Sequence, residues 1–291
     1  MKALTLIVAV FLLHLPSLAD GKQRRGLDLV LYFTFDEGTG KRTKDLSRFR
    51  NHGHLEGKWK WHDGKFGKAI YLCREGGFVC GKPGLVRTPA SDAFAMAGKA
   101  EITLMAWINV DPAHVGHKLE GSRAIIYNRP QGNQANYGLR MDRVDPSFFY
   151  RDKEDQDFHR VTGIWDAIPL DQWTHIAVTA TFGNPESMKV YLNGKPQLTN
   201  TKGGTQPDDW SLGDGTKTPI AARGPITIGG YGGFGKFLDT FQGSVDEVMI
   251  WKGTFTEAEI NEIMQAPGQE FLAVEPHEKL TTTWGTIKRR P

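Results

Sequence analysis

Cysteine is scarce in this sequence: 291 residues hold only Cys73 and Cys80. Two cysteines exclude a fold held by a disulfide framework. The absence of a C-x-x-C motif and of a second pair argues against a structural zinc site. An excess of charge of either sign is missing as well. Lys and Arg number 36 against 33 Asp and Glu, a net charge of +3, so bulk composition gives no electrostatic drive towards nucleic acid. Long apolar runs are confined to Leu4–Leu15, shorter than the roughly 20 residues that span a bilayer as a helix. Catalytic signatures are lacking too. There is no G-x-S-x-G elbow, and the nine His form no H-E-x-x-H. The run Gly229-Gly230-Tyr231-Gly232-Gly233 is not followed by the Gly-Lys-Ser/Thr of a phosphate loop and suits a turn between strands.

What is present begins with a targeting segment. Lys2 precedes the apolar run, broken only by Thr5 and His14, and Ser17-Leu18-Ala19 is a small-x-small cleavage site followed by Asp20. This predicts a signal peptide over residues 1–19 and a secreted product, extracellular or periplasmic. Export permits a disulfide between Cys73 and Cys80 across a turn at Gly76-Gly77, two buried thiols being the alternative.

The remainder is punctuated by 34 Gly and 15 Pro, as many short strands joined by turns require. Strands are predicted at Leu29–Phe35, Ala100–Val110, Arg123–Tyr127, Tyr137–Met141, Phe148–Tyr150, Thr174–Thr181, Ile226–Ile228 and Phe241–Trp251. Lys65–Leu72 and Gly77–Cys80 read as one hairpin. Asn193-Gly194 marks a second, between Ser187–Leu192 and Pro196–Thr199. Asp45 to Gly57 reads as an irregular loop, and residues 200–223 as a loop long enough to be functional. One helix is expected where Thr256-x-x-Glu259 forms a capping box and Ile260, Ile263 and Met264 share a face. Residues 267–291 carry no periodicity and are taken as a tail. The pattern specifies an all-β, two-sheet antiparallel sandwich with one short C-terminal helix.

Seven blocks occur in a recognisable order: YFTFDEGTG at 32–40 with DLSRFRNHG at 45–53, Gly64-Lys65-Phe66-Gly67-Lys68-Ala69, TLMAWINV at 103–110, Gln172–Val178, Val190-Tyr191-Leu192-Asn193-Gly194, Asp246-Glu247-Val248, and the helix at Thr256–Gln265. Together they resemble the laminin-G-like jelly-roll domains of the concanavalin A-like lectin/glucanase superfamily, over residues 28–266. The resemblance implies a jelly roll that binds an extracellular glycan or protein. It also implies a structural calcium ion (Ca2+), with Asp45 and Asn51 as loop ligands and Asp36 or Asp246 as a further one. Calcium takes six to eight hard oxygen ligands, which these residues offer. The same carboxylates equally suit hydrogen bonds from turn amides. The chain departs from the family where the Cys73–Cys80 segment replaces an Asp-Gly pair, and where 142–166 forms a long charged loop.

Related glucanases cleave glycans with two carboxylates, about 5 Å apart in retaining enzymes. The nearest pair here is Asp246-Glu247, and strand alternation points adjacent residues to opposite faces. The acidic run Asp152, Glu154, Asp155 and Asp157 reads as solvated. No catalytic residue is assigned. The expected function is a non-catalytic binding module without nucleic-acid partner or membrane span. The alternative is a structural or adhesive surface protein with no small-ligand site. Aromatics placed in loops, Trp59, Trp61, Trp165, Trp210, Tyr231 and Phe234 with His62, are the candidates for stacking on sugars, whereas Trp107, Trp173 and Trp251 fall in strands and are assigned to the core.

Overall fold

The computed structural model describes residues 29–74, 83–114, 122–128, 137–152, 158–162, 167–197, 212–213, 215–219, 221, 223–233 and 236–272. Two sheets form a sandwich. The first orders its strands Lys195–Pro196, Asn184–Leu192, Trp173–Thr181, Glu101–Val110, Gly243–Lys252, Lys68–Leu72 and Trp59–Asp63, with Leu29–Phe33 also paired to Gly243–Lys252. The second runs Leu212–Gly213, Phe158–Thr162, Asp145–Arg151, Tyr137–Asp142, Ser122–Asn128, Ile226–Ile228, Gly84–Arg87, Gly53–Gly57 and Arg42–Thr43. Neighbours are antiparallel except Phe158–Thr162 with Leu212–Gly213. Tyr231–Gly233 and Lys236–Leu238 form a separate hairpin.

The strand Glu101–Val110 shows why the sandwich closes. Ile102, Leu104, Ala106, Ile108 and Val110 enter the core between the sheets, where they meet Ile126, Leu139, Met141 and Phe148 of the second sheet. Met105 lies on the other face of the first sheet, beside Tyr32, Met249 and Trp251, under Ile260 and Ile263 of the helix Glu257–Ile263. A strand buried on both faces loses simple polar alternation, as this one does. Thr256 caps that helix with the reciprocal Thr256–Glu259 capping box.

Several expectations are corrected. Lys68–Leu72 pairs with Trp59–Asp63 and with the closing strand Gly243–Lys252, while the expected partner 77–80 lies outside the described residues. The Trp59/Trp61/His62 segment is therefore an edge strand, and both indoles pack partly against the core. The loop expected from Asp45 ends at His52, since Gly53–Gly57 is a strand paired with Gly84–Arg87. A second helical turn, Gly268–Leu272, begins the segment read as a tail.

Candidate functional site

The four residues considered for calcium fall into two groups, Asp45 with Asn51 and Asp36 with Asp246, each engaged with backbone N–H donors. Asp45 is 1% exposed. Its Oδ1 accepts the N–H groups of Tyr32 (3.0 Å) and Ser47 (2.8 Å), and its Oδ2 accepts Ser47 Oγ–H (2.8 Å) and the Asn51 N–H (2.7 Å). Its own N–H donates to His52 Nδ1. Asp45 thus folds the 45–52 loop around itself and ties it to the first strand. Asn51 takes part through its backbone, and its side-chain Nδ2 is buried without a partner.

Asp36 and Asp246 act at the Gly64–Lys68 turn instead. Asp36 Oδ1 accepts the Lys68 N–H (2.9 Å) and Asp246 Oδ2 the Phe66 N–H (3.0 Å). Two of these glycines are required by close approach. A Cβ at Gly64 would lie 2.6 Å from Asp246 Oδ2, and one at Gly67 would collide with Asp36 Oδ1.

Among the described residues no three His, Cys, Asp or Glu side chains are grouped to hold a metal ion. Asp45 already accepts four N–H and O–H donors, hydrogen bonds that calcium, which takes oxygen ligands, would have to displace. The melting curve of the protein is therefore expected to be the same in calcium and in chelator. A calcium-dependent rise in Tm would contradict the saturated role of Asp45.

Alternation does not hold at Asp246-Glu247. Val245 and Val248 both enter the core, so one residue between them is extra: the register slips between Asp246 and Met249, and Glu247 takes φ +50°. The bulge turns both carboxylates to the outer face of the first sheet. Neither is presented to solvent, Asp246 being 0% and Glu247 4% exposed. Glu247 Oε2 accepts Tyr32 Oη–H (2.6 Å) and the Gly268 N–H (2.7 Å), which fastens the C-terminal turn to the sheet. Burial raises the Asp246 carboxyl to about 8, with Glu247 and Asp36 adding repulsion. Glu247 is raised to about 7, again chiefly by burial. Beside them Trp107 packs edge-on to His175, whose imidazole burial pushes down to about 3. His175 is thus a neutral, packed histidine. Cys73 is buried at the end of its strand, and Cys80 lies outside the described residues.

The outer face of the second sheet holds a group that strand-by-strand reading did not assemble. Tyr231 stacks on Tyr127 (5.7 Å between ring centroids, 26° between planes), and Phe149 meets Tyr127 edge-on at 5.0 Å. Gly138 lies beneath, where a Cβ would come within 2.5 Å of Tyr127 and 2.7 Å of Phe149. The Arg140 guanidinium sits 5.2 Å from the Phe149 centroid and pairs with Asp142 at 3.0 Å. Asp142 also accepts Ser122 Oγ–H, and Tyr127 Oη–H reaches Asp239 Oδ2 at 3.3 Å. Tyr231 is the one loop aromatic of the sequence reading that joins this group; Trp165, Trp210 and Phe234 lie outside the described residues. The signal in the sequence was the pairing of Tyr127, Gly138 and Phe149 in register, invisible before the strands are aligned.

Comparison with known proteins gives the same architecture. Residues 84–261 match the Laminin G 3 family model, of the Concanavalin A-like lectin/glucanases superfamily. No curated protein matches the sequence. The binding domain of Paraclostridial Mosquitocidal Protein 1 superposes with TM-score 0.56 at 16% identity, covering 85% of this chain and 52% of that one. Domain 4 of AbnA, a GH43 extracellular arabinanase from Geobacillus stearothermophilus solved with arabinotriose, gives 0.51 at 18% identity, with 82% and 98% coverage. The binding domain of botulinum neurotoxin DC, in complex with rat synaptotagmin II, gives 0.57 at 16% identity, with 85% and 52% coverage. This chain spans about half the length of the two toxin domains. At such identities the likeness is one of fold, and function rests on the site. With a family model matched over more than half its length and a two-sheet sandwich to accompany it, the chain belongs to the laminin-G-like, concanavalin A-like lectin/glucanase superfamily.

Proposed function

We propose that this protein is a non-catalytic extracellular binding module whose ligand is a glycan, taken on the outer face of the second sheet around Tyr231. The observation that carries this reading is the cluster of Tyr231, Tyr127 and Phe149 beside the Arg140–Asp142 pair. Sugar recognition needs a ring to stack on and fixed polar groups for the hydroxyls; half-buried Tyr231 supplies the ring, buried Tyr127 and Phe149 hold it in place, and the Arg140–Asp142 pair beside Phe149 supplies polar groups. The fold neighbours support it in kind, being toxin binding domains and an arabinanase domain solved with arabinotriose. The only adjacent carboxylates of the closing strand are buried and spend themselves on Tyr32, Phe66 and Gly268, which favours binding over glycan hydrolysis.

The test is a glycan-array screen of the protein from Asp20 onward, repeated with Tyr231→Ala. Truncation of half-buried Tyr231 is expected to lower affinity about 10-fold or more, because stacking a sugar on one ring is worth on the order of 1–2 kcal/mol, with a small fall in melting temperature from the lost stack on Tyr127. Binding that survives Tyr231→Ala unchanged would move the ligand elsewhere. The absence of any glycan ligand would favour the structural or adhesive alternative.

A further inference from the structure

From the corner at Asn193-Gly194 and the helix residue that holds it, we infer that Asn193 is a site of spontaneous deamidation that the native fold keeps closed, and that conversion proceeds through opening of this corner alone. The inference is independent of which ligand the module takes.

Asn193-Gly194 is the one Asn-Gly pair in the sequence. Glycine carries no side chain to shield its nitrogen, so this pair is the most open of the chain to attack on an asparagine side chain. The Gly194 nitrogen gives up its proton to solvent and attacks Asn193 Cγ. The Cγ–Nδ2 bond breaks, ammonia leaves, and a five-membered succinimide remains. Water then opens the ring. Opening at the side-chain carbonyl gives aspartate. Opening at the main-chain carbonyl gives isoaspartate, whose backbone runs through Cγ and is longer by one atom. Water is the sole co-reactant, and either product carries one more negative charge.

In the fold this corner is tied on two sides. Asn193 is exposed at φ +48° and Gly194 follows at φ +75°, the left-handed pair that a two-residue hairpin requires. The Asn193 N–H donates to the His175 carbonyl at 2.8 Å, and Asn193 Oδ1 accepts the His175 N–H at 2.9 Å. The side chain thus forms one further rung beyond the Ile176–Leu192 pair. Attack needs the amide over the Gly194 nitrogen, and His175 holds it across to the neighbouring strand instead. On the other side, Asn261 Nδ2–H donates to the Gly194 carbonyl at 3.0 Å and to the Glu257 carbonyl at 2.9 Å. The approach is close enough that a Cβ at Gly194 would collide with Asn261. Asn261 stands on the helix Glu257–Ile263, whose Ile260 and Ile263 are buried in one cluster with Tyr191 of the hairpin. Packing of the helix on the sheet therefore clamps the Gly194 peptide.

The strand that returns from the corner is short. Lys195 and Pro196 pair with Leu192 and Tyr191, and both are exposed, so the corner is able to open locally without unfolding of the sandwich. The two products differ in what they leave behind. Aspartate keeps an oxygen for the His175 N–H and preserves the length of the turn. Isoaspartate adds one atom to the backbone, which breaks the two-residue turn and carries the Gly194 carbonyl away from Asn261. That product unties the hairpin from the helix.

The experiment incubates the full chain at mildly alkaline pH and follows the peptide containing Asn193 by mass spectrometry, with aspartate and isoaspartate separated by chromatography. The folded wild type is compared with the wild type unfolded in urea, with Asn261→Ala, and with Tyr137→Phe. The last is a control for general destabilisation, since it removes the buried hydrogen bond from Tyr137 Oη–H to the Phe94 carbonyl, away from the corner. Alanine is the best helix former, so Asn261→Ala removes the clamp and leaves the helix intact. Expected is a gain of about one mass unit at Asn193. It should be about 10-fold or more slower in the folded wild type than in the unfolded chain, because reaction from a closed state scales with the open population. Asn261→Ala should accelerate it about 5-fold and Tyr137→Phe less than about two-fold. The isoaspartate form should melt below the wild type, and Asn193→Asp alongside it. Equal rates in the folded and unfolded chains would mean that the fold does not close the corner. Equal acceleration in the two variants would assign the reaction to global unfolding. Asn261→Ala reacting no faster than the wild type would remove the clamp, and no conversion in the unfolded chain would reject Asn193 as the site. Each of these results would overturn the inference.

Discussion

Asp45→Ala is expected to destabilise the protein by about 3–5 kcal/mol in denaturant unfolding. The carboxylate is buried and accepts four hydrogen bonds, three from backbone amides. Truncation leaves Tyr32, Ser47 and Asn51 N–H groups unsatisfied, at roughly 1–3 kcal/mol each before relaxation and water entry reduce the sum. Asp45→Asn keeps the shape but only one acceptor oxygen and should lose about half as much. A loss below about 1 kcal/mol for Asp45→Ala would mean that the loop is held by other contacts.

The second large effect is on pH. Unfolded Asp and Glu titrate near 4, whereas folded Asp246 and Glu247 are raised to about 8 and about 7. The folded protein therefore binds more protons than the unfolded chain between those limits. The pair's contribution is fully present below pH ~4 and is lost as pH rises through 7 and 8. Stability is expected to fall by a few kcal/mol across this window, an order-of-magnitude figure from the shifts. Glu247→Gln discriminates, because both bonds from Tyr32 and Gly268 fall on the single oxygen Oε2, which the amide oxygen can replace. The variant should match the wild type near pH 5 and exceed its stability at pH 8 to 9. Asp246→Asn differs. Asp246 accepts Phe66 on one oxygen and Glu247 N–H on the other, so an amide loses one bond, about 1–3 kcal/mol at low pH. A stability profile that stays flat from pH 4 to 8 in the wild type would contradict the raised carboxyls.

Much of the fold was legible because local chemistry and tertiary structure agree. The Asn193-Gly194 hairpin is present, with Asn193 at φ +48°, as is the capping box at Thr256. The site was less legible, for identifiable reasons. Trp59 and Trp61 lie in a segment rich in Lys, Asp and Gly that suggests a loop, and only cross-strand bonds to Lys68–Leu72 make it an edge strand. The opposite facing of Asp246 and Glu247 follows from alternation, which one inserted residue cancels. Asp36, Asp45 and Asp246 have the right elements for calcium, but each spends carboxylate oxygen on amides contributed from residues 32, 47, 51, 66 and 68.

The sequence by itself determined the class of molecule. Strand periodicity, turn residues and one helix cap act within a few residues of one another, so they specify a two-sheet sandwich without knowledge of what packs on what. Tertiary structure alone decided which polar groups stay free to act. Burial and register are relations between residues far apart in the chain: they draw the carboxylates of Asp45, Asp246 and Glu247 inward, leave Lys44, Arg48 and Arg50 outside, and align Arg42 with Phe149 across seven strands.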